Sequence, residues 1–136
     1  MNNMKKMLFG LLAASMLMAC HQSNKSNTQT VNTLTAIKFT EIAFDFGKIK
    51  QGASVTHNFT FINSGKAPLI ISDATATCGC TKPEWPKTPV NPGEQGTIKV
   101  TFNSEGKSGL QDKMITVTAN TNPADNMVHL VGEVTK

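Results

Sequence analysis

Arginine is absent from the 136 residues, and all thirteen basic side chains are lysines. No glycine-rich phosphate loop follows an apolar run, and neither HExxH nor GxSxG occurs. Nucleotide cradling, zinc-protease chemistry and nucleophile-elbow hydrolysis therefore lack their carriers. The nine carboxylates fall mostly in turns or at outward positions, which leaves paired-acid catalysis without support. Beyond the first twenty residues no stretch repeats its apolar residues with a helical period. Apart from thiol chemistry, no enzymatic activity is expected.

What is present begins at the N-terminus. Lys5 and Lys6 precede an uncharged apolar run from Met7 to Met18, and small Ala19 precedes Cys20. This is the layout of a secretory signal, too short to span a bilayer as a stable helix. Leu17-Met18-Ala19-Cys20 resembles a lipobox, at which the thiol receives a diacylglyceryl group and cleavage makes the cysteine the new N-terminus. Met18 is a less usual occupant of the middle position, and the plainer alternative is an ordinary signal peptide cut beside a cysteine. At about 0.8 kcal/mol per buried CH₂, two or three acyl chains anchor stably where one does not. Covalent lipid on Cys20 would occupy its thiol, leaving Cys78 and Cys80 as the cysteines open to other chemistry. His21, in place of Asp, reads as an outer-membrane sorting signal, with the domain facing the periplasm.

Residues 1–19 thus read as a signal peptide, 20–36 as a tether anchored through lipidated Cys20, and 37–136 as one domain. The tether is rich in Ser, Asn and Thr and cannot bury enough surface to offset its ordering entropy. Processing would leave 117 residues, with eleven lysines against nine acids. So small a net charge is not the footprint of a nucleic-acid binder. Only Met114 and Met127 would remain of seven methionines, so a Met-rich copper motif is absent. Export would also let Cys78 and Cys80 persist as a disulfide.

From residue 37 the apolar period is two. Ile42, Phe44 and Phe46 share a parity, as do Val55, His57, Phe59 and Phe61, and Ile98, Val100 and Phe102. Further runs cover 68–71, 114–119 and 127–134, and Gly, Asn and Pro clusters punctuate them. About seven short strands in some hundred residues predict an all-β, immunoglobulin-like, two-sheet antiparallel sandwich. The Cys…Trp…Cys spacing of antibody domains is missing.

An ordered series runs through Phe44 to Ile49, Gly52, Val55 to Asn63, Gly65, Pro68-Leu69 and Cys78 to Thr81. It continues through Pro92-Gly93 and Gly106-Lys107 to Asn120 and Gly132. Over roughly residues 38–134 it resembles the bacterial domain of unknown function 1573 family. The resemblance implies an immunoglobulin-like sandwich, akin to domains of cilium-associated and sperm proteins, and frequent occurrence in exported or lipid-anchored chains. It implies no reaction, and fold alone supplies none.

Cys78-Gly79-Cys80 is the feature with most chemistry. On an extended strand the two side chains would share a face with Cα atoms about 6.6 Å apart, near the limit for a bridge. A kink at Gly79 would shorten that distance. A ring so small stabilises little, so a disulfide here reads as reducible or as a passive local bridge. Two thiolates also suit a soft metal, with His57 and His129 as the only imidazoles in the domain to complete a site. His57 shares the inward parity and reads as a hydrogen-bonded histidine at the core's edge, whereas His129 reads as solvent-facing. No metal or other cofactor is expected. Thr81, Pro83, Trp85 and Pro86 follow at once. The proline-stiffened indole is either a partner contact or, as the default, a cap on the open end of the sandwich.

The combined expectation is a membrane-anchored envelope module that binds or organises a protein partner, with thiol redox or soft-metal binding at Cys78-Gly79-Cys80 as the alternative. The anchor gives the first prediction. In a bacterial host that processes lipoproteins, the N-terminal peptide of the mature chain starts at Cys20 and carries the mass of a diacylglyceryl group. The Cys20→Ser chain carries neither that mass nor that new N-terminus.

Overall fold

The alternation in Ser54–Asn63 dictates the local structure: its odd positions are buried or half-buried and its even positions mostly face solvent. The same rule builds the rest of the computed structural model, which describes residues 33–136. The signal, Cys20 and most of the tether lie outside the described residues. Eight strands form among the described residues: β1 (Ile37–Phe39), β2 (Ala43–Lys50), β3 (Ser54–Asn63), β4 (Ile71–Ala76), β5 (Thr81–Glu84), β6 (Gln95–Asn103), β7 (Gly109–Ala119) and β8 (Asp125–Thr135). They make two four-stranded sheets, ordered β1-β3-β6-β5 and β2-β8-β7-β4. The described part of the chain is an all-β, immunoglobulin-like two-sheet sandwich.

Between the sheets Phe59, Phe61, Ile98, Val100 and Phe102 meet Ile115, Val117, Val128 and Leu130, all fully buried. Each such side chain contributes roughly 1.5–3 kcal/mol of apolar transfer free energy. The fit is close: a Cβ at Gly96 would run into the Phe61 ring.

The second sheet is mixed rather than purely antiparallel, because β2 runs parallel to β8. Thr40 to Ile42 carry the chain from one sheet to the other without reversing it, and the strand arrives beside β8 pointing the same way. His129 N–H donates to Ile42 O at 2.8 Å. That crossing also corrects one expectation: Ile42 is 66% exposed, whereas Phe44 and Phe46 pack on the core. Beyond Phe46 the register shifts at a bulge between Asp45 and Lys48. Gly47 there has φ +70°, a left-handed conformation that glycine adopts at no steric cost. The extra residue moves the inward parity from even to odd, so that Ile49 also reaches the core.

Two strands escape the period-two reading. The run 68–71 is mostly loop, with Leu69 bridging Val90, and the strand proper is β4. A bulge between Ile71 and Asp73 breaks its alternation. The four-residue β5 is an edge strand, the position where Pro83 is tolerated.

At the end where the chain enters, the fully buried Asn63 side chain makes four hydrogen bonds. Its Nδ2 donates to Ala67 O (2.8 Å) and Val90 O (2.9 Å). Its Oδ1 accepts from Thr35 Oγ1 (2.9 Å) and Gly65 N (3.0 Å). Asn120 donates to Thr33 O and Pro68 O, each at 3.0 Å. Residues 33–36, read from composition as the end of the tether, are therefore held on the domain. Asn63→Ala removes four hydrogen bonds and leaves Ala67 O without its donor, and a loss of about 3 kcal/mol is expected, read as a lower urea midpoint with an unchanged m-value.

Candidate functional site

The sequence leaves β4 at Ala76 and must cross to the other sheet to begin β5. Residues 77–80 make that crossing as a turn, not as a strand. Thr77 N–H donates to Met114 O at 3.1 Å, holding the departure point on β7. Thr81 N–H donates to Cys78 O at 3.2 Å and closes the turn, and Asn103 N–H donates to Cys80 O at 2.9 Å, tying the arrival point to β6. Within this turn the Cys78 and Cys80 Cα atoms are 5.3 Å apart, and the two residues are joined by a disulfide. Gly79 is exposed and not among the glycines with positive φ. The turn itself, rather than a left-handed kink in an extended strand, shortens the separation.

Both cysteines are half-buried, and Cys80 packs against the core. The buried Thr81 hydroxyl lies 3.6 Å from Cys78 Sγ and 3.9 Å from Cys80 Sγ. A disulfide sulfur carries no proton, so in these contacts the hydroxyl is the donor. On the solvent side Cys80 lines an open cleft of about 540 Å³, with Gly79, Lys82, Ser54, Thr101, Asn103 and Glu105. Its walls come from three paired strands and the loop after β6. Thr101 pairs with Lys82 across β5/β6 and with Thr56 across β3/β6, and the Thr101 and Thr56 hydroxyls are 3.2 Å apart. Glu105 N–H donates to Asn103 Oδ1 at 2.9 Å, which fixes the loop at the rim.

The segment after the cysteines is placed differently from a free contact loop. Thr81 is buried, and Pro83, Trp85 and Pro86 are half-buried. Trp85 packs on the core with Lys87 Nζ 3.0 Å above its ring. The exposed side chains of β5 are Lys82 and Glu84, and Glu84 pairs with Lys99 at 3.4 Å.

The two histidines sit apart from the cysteines. His57 Nε2 donates to Glu41 Oε1 at 2.7 Å, and its ring stacks on Phe44 at 3.6 Å. His129 Nδ1, on β8, donates to Asp112 Oδ1 on β7 at 2.8 Å. Among the described residues no three His, Cys, Asp or Glu side chains are grouped to hold a metal ion.

Among the described residues, Lys113 carries the one clear electrostatic perturbation. It extends β7's inward parity beyond Ile115, with Nζ 5.4 Å from the ring of Phe102, the cross-strand partner of Thr81. Burial, reinforced by Lys107 and opposed by Asp112, holds its amine below the ordinary lysine value of 10.5.

The chain belongs to the family described as protein of unknown function (DUF1573), whose model matches residues 37–134. No curated protein matches it in sequence. Among solved structures it is similar to a protein of unknown function from Porphyromonas gingivalis W83, with TM-score 0.65 and 15% identity, covering 80% of this chain. This chain spans about half of that protein (51%). It is also similar to a PapD-like domain of human CEP192, with TM-score 0.60 and 10% identity, covering 74% of this chain and 85% of that one. A third likeness is to the Vibrio cholerae protease VesB, with TM-score 0.56 and 11% identity over 77% of this chain and 32% of that one. At such identities these likenesses show the fold alone.

Two outcomes test this geometry. A three-residue ring removes little unfolded-chain entropy, so Cys78→Ala/Cys80→Ala lowers stability by only about 1.5 kcal/mol, measured by urea unfolding. The lysine gives a pH signature. The folded state binds fewer protons than the unfolded one between the lowered Lys113 pKa and 10.5. Stability from this residue therefore rises with pH across that window. Lys113→Met is expected to be more stable than the parent below the window and to lose that part of the alkaline rise.

Proposed function

We propose that this chain is an exported lipoprotein of the bacterial envelope, held to a membrane through lipid on Cys20, whose sandwich is a binding module rather than an enzyme. The lipobox-like run and the polar tether support the first half of this reading. The second half is carried by the open cleft beside the Cys78–Cys80 turn. Its walls are paired strands whose backbones are already ordered, so a partner entering it bears little of the entropic cost of organising the site. The lining combines Lys82 and Glu105 with Ser54, Thr101 and Asn103. A mixed polar lining of this kind fits an exported protein segment carrying hydrogen-bonding side chains.

The test compares two surfaces of one molecule. Thr101→Arg fills the cleft, whereas Leu110→Asp alters a side chain on β7 that is 87% exposed and lies outside this cleft. Cross-linking in intact cells should join the parent and the Leu110→Asp chain to one partner, and Thr101→Arg should reduce that product at least tenfold. Equal yields from all three would sink the cleft as the contact surface.

A further inference from the structure

The cleft does not explain why a disulfide lies at its base. A bridge between residues two apart contributes little to stability, and the backbone around this one is also tied by hydrogen bonds. Thr77 N–H to Met114 O, Thr81 N–H to Cys78 O and Asn103 N–H to Cys80 O use no sulfur. Within this turn the two Cα atoms are 5.3 Å apart, within bridging distance. The oxidised and reduced forms can therefore share one frame, and the bond can open and close without rebuilding the sandwich.

The two sulfurs are not equivalent. Cys80 lines the cleft with Lys82, whose cation favours approach of a thiolate and is countered in part by Glu105, which also lines it. Cys78 does not line it, and its sulfur is the nearer of the two to the Thr81 hydroxyl, at 3.6 Å against 3.9 Å. A hydroxyl beside a sulfur that departs as a thiolate donates a charge-assisted hydrogen bond at the moment charge develops.

We propose that the Cys78–Cys80 disulfide is a thiol-exchange site that accepts two electrons from a dithiol presented in the cleft by an exported protein. This rests on the reading of the cleft as the partner surface. A partner thiolate attacks Cys80 Sγ, the Cys78–Cys80 bond breaks, and Cys78 leaves as a thiolate that takes up a proton. The partner's second thiolate then attacks the partner sulfur of the mixed disulfide, releasing the Cys80 thiolate, which is protonated in turn. The partner ends as a disulfide, and the two protons from its thiols balance those gained by Cys78 and Cys80. Thr81 is a positioning residue in this scheme, assisting the leaving sulfur.

The test needs no partner, so its failure is separable from failure of the binding reading. The oxidised full chain is treated with reduced glutathione, the freed thiol is capped with N-ethylmaleimide, and the 67–82 peptide is sequenced by mass spectrometry. Glutathione on Cys80 with maleimide on Cys78 is the expected product. The opposite labelling, or no reaction until urea unfolds the chain, overturns the proposal. Opening by dithiothreitol in the folded state supplies the second readout. Thr81→Val should slow it about tenfold, the loss of one hydrogen bond to a charged sulfur, and Thr81→Ser should restore it. A Thr81→Val rate within twofold of the parent, or a Thr81→Ser rate as slow as that of Thr81→Val, also overturns it.

Discussion

The buried amide of Asn63 is the constraint on which the entry end of the sandwich depends. It is the last residue of β3, where a long strand gives way to loop, and loop backbone carries polar groups that no ladder pairs. Its two donors and two acceptors join the lead-in at Thr35, the turn at Gly65, the return at Ala67 and the distant carbonyl of Val90. Its own backbone N–H donates to Glu94 O, and its carbonyl accepts from Gly93. One side chain therefore sets the positions of segments that reach the core from both sides of the sequence. Ser104 does similar work elsewhere, donating from Oγ to Ala53 O at 2.6 Å and holding the β2–β3 turn.

The chain passes between the sheets five times, and two of these crossings join one edge strand to another, at opposite ends of the strand orders. At the first, between β1 and β2, Phe44 stacks on His57, and Glu41 accepts a hydrogen bond from the imidazole. At the second, between β4 and β5, the chain passes through Cys78 to Cys80. One crossing carries aromatic packing and a side-chain hydrogen bond, the other a covalent bond that contributes little to stability. That asymmetry is what singles out the second crossing as a place for chemistry.

Much of this was legible in the sequence. The strands with the clearest alternation, β3, β6 and β8, could be read because most of their inward residues are Phe, Ile, Leu or Val. The pair Cys78 and Cys80 was legible as a chemical unit. Two bulges hid the rest: Gly47 shifts the parity of β2, and the irregularity after Ile71 hides β4 behind small residues. The four residues of β5 are too few to show a period. Without β5 and its register on β6, nothing brings Ser54, Thr101 and Asn103 to the same place as Cys80. The cleft is a product of non-local pairing, which one-dimensional patterning does not encode. The parallel placement of β2 was hidden for the same reason, since it depends on a three-residue crossing.

The four outermost strands share a property that bears on how copies of the molecule tolerate one another. β1 offers three residues, and β5 offers four, one of them Pro83, which has no N–H to donate. β2 is bent by its bulge and carries Lys48 and Lys50, and β4 is broken near its start. None presents the long flat row of free backbone groups that templates aggregation. Molecules crowded side by side on a surface would have no rim along which to zip into a continuous sheet.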